Sequence, residues 1–245
     1  MWKGYLEKPR IKQFLNYLED RNFTFNQIHT SGHADIKALK QMVEAVEPKN
    51  IIPIGSIEFV QKFLSIHYLK IAYPRNVPVK LFNFAGRSIV NGYSSDVSEG
   101  DFIKSYNTFK NSWNGYVDKY IKENLPKNHK WQISEYIDNI ESEWRVFIYK
   151  GEIVGMHNYL GDCTLFPDVV VIRQMINYFK HSPIAYTLDV GIKKKEGDSG
   201  YITFLLEVHD FFSIGLYGFN DLDKIASMFK NWFIEFVGKV EFKNK

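Results

Sequence analysis

The chain has 245 residues, 45% apolar and 16% aromatic, enough to bury a sizeable core in one large domain or two small ones. Its formal charge of +3 is too mild to imply a general nucleic-acid surface, so nucleic acid is not indicated as a partner. A single cysteine, Cys163, excludes an internal disulfide and a cysteine-rich zinc site, and no apolar run approaches the length of a membrane span. The start MWKGYLEKPR lacks the apolar core of a signal peptide, so the expectation is a folded cytoplasmic protein with no membrane partner.

Residues 8–20 place Ile11, Phe14, Leu15 and Leu18 at helical spacing. Residues 22–29 alternate like a strand, and residues 35–47 predict a helix with Leu39, Met42, Val43 and Val46 on one face. NIIPI then reads as a buried strand, completing a strand–helix–strand α/β unit. The stretch HTSGHADIKALKQMVEAVEPKNIIPI resembles the carboxy-terminal part of metallo-β-lactamase-fold hydrolases of the ribonuclease J type. That resemblance implies that His33, with Asp35 beside it, lies close to a dinuclear zinc site. The family's main metal motif, HxHxDH, is absent from the chain, and His29, His33 and Asp35 alone do not make a catalytic zinc pair. The alternative for this region is a structural α/β piece.

IEFVQKFL starts another helix, with Ser56 as its cap and Glu58 in its first turn. YPRNVPVKLF carries two prolines and predicts a connection into an edge strand, and residues 86–100 read as a polar, flexible stretch. DFIKSY is a strand that directs Lys104, and Lys110 follows in a segment rich in Asn, Ser and Gly. The two lysines read either as solvated surface charges or as point charges for phosphate oxygens. VDKYIKENL predicts a helix ended by Pro126. WQISEYI alternates as a strand, DNIES turns, and EWRVFIYKGEIVGMHNYL is a strand pair joined at Lys150-Gly151. Arg145 stands among Val146, Phe147 and Ile148, where a strand arginine requires an anionic partner. Val169, Ile172, Met175, Ile176 and Phe179 form the stripe of a core helix, and DLDKIASMFKNWFIEFVGKV closes the chain as an amphipathic helix capped by Asp221.

The stretch 185–219 organises the rest: strand TLDVGI, polar turn KKKEGDSG, strand YITFLLEV, then a loop punctuated by Gly215 and Gly218. A hairpin brings Asp189 and Glu207 onto one surface, within reach of one hard cation, with His209, Asp210 and Ser213 as further donors. These acids read either as ordinary hairpin charges or as a cation site. A carboxylate directly after FLL is costly unless it is paired or metal-bound.

Taken in order, IPIGSIEFV, FIKSY, QISEYI, EWRVFIYKGEIVG, TLDVGI and LLEVHDFFSIGLYGF resemble the ATP-grasp superfamily over about residues 55–245, especially its compact phage and bacterial members. The resemblance implies an α+β fold: residues 81–245 as two ATP-grasp subdomains, residues 1–80 as a short α/β segment before them. It further implies ATP and magnesium as cofactors. Lys104 is implied at the α- and β-phosphates, Lys110 in a lid over them, and Glu135, Tyr136 and Ile137 at a hinge that meets adenine and ribose. Arg145 is implied at the γ-phosphate, and Asp189, Glu207 and His209 at the metal, although many members carry asparagine at the last position. The implied activity is a carboxylate–amine ligase acting through an acyl phosphate on small-molecule or peptide substrates. The alternatives are a non-catalytic nucleotide-binding module and a zinc hydrolase built on SGHAD. The 20 Phe and 15 Tyr leave apolar surface for a homodimer interface.

Overall fold

The fold comes from a computed structural model, which describes residues 9–21, 52–70, 72–73, 75–106, 115–197 and 199–237. The expected strand at 22–29 and helix at 35–47, with His29, His33 and Asp35, lie outside the described residues, as does Lys110.

Helix α1 (Pro9–Glu19) docks on the last helix, α5 (Leu222–Val237): Arg21, just beyond α1, donates to Asp223 at 2.8 Å, and Tyr17 bonds the same carboxylate. Helix α2 (Ile57–Ile66) starts where the cap signal placed it, Ser56 Oγ accepting from the Phe59 amide at 3.2 Å. The segment expected to enter an edge strand instead forms a 3-10 helix (Val79–Phe84). Pro78 lacks an N–H and has φ −61°, which suits the entry to a helical turn, and Leu81 is the residue this turn buries. Residues 86–100 are likewise not merely flexible: they contain strand β1 (Ile89–Tyr93). That strand buries only Ile89, so its composition looks like loop.

Two four-stranded antiparallel sheets follow. The first has order β1-β4-β2-β3, built with β2 (Asp101–Ser105), β3 (Gly115–Tyr116) and β4 (Lys130–Glu135). Between β3 and β4 runs the short helix α3 (Lys119–Asn124), capped by Asp118. A small core of Val97, Ile103, Val117, Trp131 and Ile133 backs this sheet. The second has order β6-β5-β7-β8, from β5 (Ser142–Tyr149), β6 (Glu152–Gly161), β7 (Ala185–Lys194) and β8 (Tyr201–Asp210). Lys150 (φ 54°) and Gly151 (φ 80°) make the β5–β6 turn with two left-handed residues, the geometry that matches the twist of a hairpin.

Both faces of the second sheet are covered. Trp144, Val146, Ile148, Leu188, Val190, Leu205 and Val208 face the 3-10 helix and helix α4 (Val169–Tyr178), whose Ile172 and Met175 are fully buried. On the other face, Phe147 joins Phe211, Phe219 and the stripe Ile225, Met228, Phe229, Trp232 and Phe233 of α5. The i, i+3, i+4, i+7, i+8 spacing of that stripe turns one side of α5 inward, and each buried aromatic contributes on the order of 2–3 kcal/mol of burial. The architecture is α+β. Among the described residues no helix is long and apolar enough to cross a membrane.

Candidate functional site

Four residues in register form a row across the second sheet. His157 on β6 faces Arg145 on β5, Arg145 faces Asp189 on β7, and Asp189 faces Glu207 on β8. Antiparallel partners share a face, so the row projects to one side. Asp189 stands in the middle of its strand rather than near its end.

The Arg145 guanidinium binds Asp189 through both forks, Nε to Oδ1 at 2.7 Å and Nη2 to Oδ2 at 2.6 Å, and Nη1 donates to the Gly215 carbonyl at 3.1 Å. Of the five N–H donors of an arginine, these bonds occupy three. The guanidinium face lies 4.7 Å from the ring centroid of Tyr217, which stacks on Tyr159, whose hydroxyl donates to Glu143 at 2.6 Å. Tyr217 holds a left-handed backbone (φ 43°), a strained conformation for a residue with a side chain. A Cβ on Gly215 would lie 3.1 Å from the Tyr217 ring and 3.4 Å from Arg145 Nη1, so only glycine lets the loop lie this close.

Across the inter-sheet space, Lys104 reaches from β2 to form an ion pair with Glu207. His209, one step along β8 on the same face, brings Nε2 to 3.3 Å from Asp189 and 3.5 Å from Glu207. Burial alone would raise the pKa of Asp189; the bonds from Arg145 and the contact with His209 outweigh it and hold Asp189 at about 2. Burial likewise pushes Glu207 up, but His209 and Lys104 bring it below the usual carboxylate range. The same charges act in reverse on His209: burial lowers its pKa, while Glu207 and Asp189 raise it further. The result is a compensated cluster of two carboxylates ringed by Lys104, Arg145 and His209.

The structure thus brings Lys104, Arg145, Asp189, Glu207 and His209 together. Asp210 and Ser213 are not part of the cluster. Asp210 takes a bidentate bond from Arg75 (2.9 and 3.0 Å from Nη2), and Ser213 donates to the Gly55 carbonyl at 2.8 Å. Glu135, Tyr136 and Ile137 lie where β4 leaves the first sheet for the second. Glu135 accepts from the Ser88 amide at 3.1 Å, and this bond lowers its pKa. Tyr136 is half exposed, stacked on Phe102 and edge-on to Tyr116. Phe102 and Lys104 alternate onto one face of β2, so this aromatic group and the lysine share a surface. Tyr159, Tyr217 and Arg75 were not found from the sequence; the only local signal was Gly215 and Gly218 flanking Tyr217.

The donor set is fitted to a hard divalent cation at Asp189 and Glu207, two oxygen donors brought into register. His209 fits less well, because a protonated ring offers no lone pair. A buried hydroxyl on the same face, Thr187 Oγ1, has no hydrogen-bond partner. Among the described residues no group of three His, Cys, Asp or Glu is otherwise arranged to hold a metal ion.

A family profile for an ATP-grasp domain, the second family of its clade, matches residues 84–226, more than half of the chain. A second, "Zn-dependent metallo-hydrolase RNA specificity domain", matches residues 19–55. No curated protein matches the chain. Among solved structures, D-alanine–D-alanine ligase from Bacillus anthracis complexed with ATP is 12% identical, covering 93% of this chain and 90% of that one, at a TM-score of 0.49. The macrocyclase MdnC of Microcystis aeruginosa MRC, bound with precursor peptide MdnA, is 13% identical over 92% of this chain and 96% of that one, at a TM-score of 0.42. Phosphoribosylglycinamide synthetase from Anaerococcus prevotii is 10% identical over 83% of this chain and 64% of that one, at a TM-score of 0.39.

Proposed function

This chain belongs to the ATP-grasp domain family, and from that premise we propose that it is an ATP- and magnesium-dependent ligase joining a carboxylate to an amine. The observation that carries the reading is the in-register Arg145–Asp189–Glu207 row with Lys104 closing on it from the other sheet. Anionic and cationic groups held a few ångströms apart between two sheets suit a metal–polyphosphate ligand, whose metal takes the acids and whose oxygens take the bases.

In this reading Asp189 and Glu207 hold the magnesium, with His209 as the third residue of the site. The ion's contribution is to neutralise phosphate oxygens. Lys104 leaves Glu207 for the α- and β-phosphates, and Lys110 belongs to the lid above them. The two N–H groups of Arg145 outside its three bonds face the γ-phosphate. Glu135, Tyr136 and Ile137 receive the nucleoside at the hinge. A carboxylate oxygen of the substrate attacks the γ-phosphorus, ADP leaves, and an acyl phosphate results. An amine then attacks the acyl carbon, releasing phosphate and giving up its proton to solvent. The protein supplies charge and position and forms no covalent bond. We also propose that residues 81–245 form the ATP-grasp domain and residues 1–80 a segment before it, with small-molecule or peptide substrates and a cytoplasmic location.

A thermal-shift titration tests the site. ATP with magnesium should raise the melting temperature of wild type, by mass action on the native state, and Glu207→Ala should abolish the rise. No rise at millimolar ATP sinks the ligase reading. A second reading, nucleotide binding without turnover, draws on the full use of both Asp189 oxygens by Arg145. Magnesium-dependent stabilisation without phosphate release across a panel of amino acids and peptides identifies it. The zinc-hydrolase reading rests on residues 29–35, and metal analysis for bound zinc decides it.

A further inference from the structure

Strand β8 has one residue more than its ladder with β7 can use. Val190 faces Leu205 and Asp189 faces Glu207, so Leu206 has no opposite number. Such a bulge leaves the extra residue outside the regular pairing. The side chain that meets it is Arg87, from the loop between the 3-10 helix and β1. Arg87 Nη1 donates to the carbonyls of Leu205 and Ala85, each at 3.1 Å, and Nη2 donates to the Leu206 carbonyl at 3.1 Å. A half-buried guanidinium is thus bonded to three neutral acceptors. Burial lowers its pKa, and the charge of Glu207 acts the other way.

The register shows what the bulge accomplishes. The β7–β8 turn sets Lys194 opposite Tyr201. Continued without the extra residue, that register would set Leu206 opposite Asp189 and Glu207 opposite Leu188, on the apolar face packed against α4. The extra residue is what turns Glu207 toward Asp189 and Lys104. We infer that Arg87 is a positioning residue for the carboxylate pair: by tying Leu205 and Leu206 to the loop after Ala85, it holds the bulge and keeps Glu207 opposite Asp189. Its functional meaning rests on the nucleotide-site reading above; its structural half needs no nucleotide.

Arg87→Met keeps the apolar stem and removes every donor, Arg87→Lys keeps a charge with a smaller reach, and Ile172→Val trims the opposite face as a control. In the nucleotide-free chain, Arg87→Met should speed amide hydrogen exchange at Leu206 and Glu207 by about tenfold or more while leaving α5 unchanged. Arg87→Lys should fall between, and it carries the same comparison if Arg87→Met does not fold. Lys104→Ala should lower the melting temperature of wild type by removing the Glu207 partner, and should no longer do so on the Arg87→Met background. Wild-type exchange in the bulge, or an intact effect of Lys104→Ala, overturns the inference.

With magnesium and ATP, Arg87→Met should weaken apparent affinity by about tenfold or more, Arg87→Lys should restore part of it, and Ile172→Val should leave it unchanged. Equal affinity in wild type and Arg87→Met overturns the inference while the nucleotide site stands. A wild type that magnesium–ATP does not stabilise removes the nucleotide reading instead, and the exchange result then decides the positioning role by itself.

Discussion

The two faces of the β6-β5-β7-β8 sheet share the same strands and carry opposite chemistry. Residue by residue along β5, Trp144, Val146 and Ile148 pack under α4 while Arg145, between them, joins the charged row. On β7, Leu188 and Val190 flank Asp189 in the same way. The apolar face is held by contacts that any well-fitting side chain could provide. The charged face is held by specific partners, each of which is costly if left alone. Packing errors on one face should therefore be absorbed gradually, and single losses on the other should not.

The largest expected effect breaks the charged face. Arg145→Ala leaves Asp189 buried without its bidentate partner and should cost about 3–5 kcal/mol in urea unfolding. The double variant Arg145→Met/Asp189→Met should recover most of that stability yet lose all magnesium-dependent stabilisation by ATP. Recovery of binding as well would place the nucleotide site elsewhere. On the apolar face, Ile172→Ala should cost about 3 kcal/mol through a cavity under the sheet, with nucleotide affinity unchanged. An affinity loss there would show that the two faces are coupled.

Smaller changes sharpen the contrast. Thr187 is buried on the charged face with its hydroxyl unpartnered, so Thr187→Val should stabilise the nucleotide-free chain by about 1–2 kcal/mol. If that gain comes with weaker magnesium–ATP binding, the hydroxyl has a partner in the loaded site. The smallest change is Asp168→Ala, which removes the cap that Asp168 Oδ1 gives α4 through the Val170 amide at 2.7 Å. It should cost about 1 kcal/mol and leave the site untouched.

Much of this fold was legible because its signals are local. The Lys150-Gly151 turn, the Ser56 cap, the stripes of α4 and α5, and the hairpin carrying Asp189 and Glu207 depend on neighbours a few residues apart. Strand β1 and the 3-10 helix at Val79–Phe84 were misread for the complementary reason. Each buries a single side chain, so periodicity has nothing to register. Within the site, the acids, Lys104 and Arg145 were readable as charges set in strands. Arg87 was not, because its partners are backbone carbonyls that carry no sequence signature. Tyr217 was not, because an aromatic in a loop looks the same whether it covers a guanidinium or faces water.

By itself the sequence determined that two antiparallel hairpins would form, where the helices would begin, and that Asp189 and Glu207 would be near neighbours. The tertiary structure alone decided that Lys104 would close on Glu207 from 103 residues away, that Arg75 would claim Asp210 from 135 residues away, and that a bulge at Leu206 would turn Glu207 onto the charged face. Turns, caps and alternation are settled by neighbours along the chain. The pairing of buried charges is settled only when two sheets pack and water is excluded between them, since only there does an unpaired charge cost enough to select its partner.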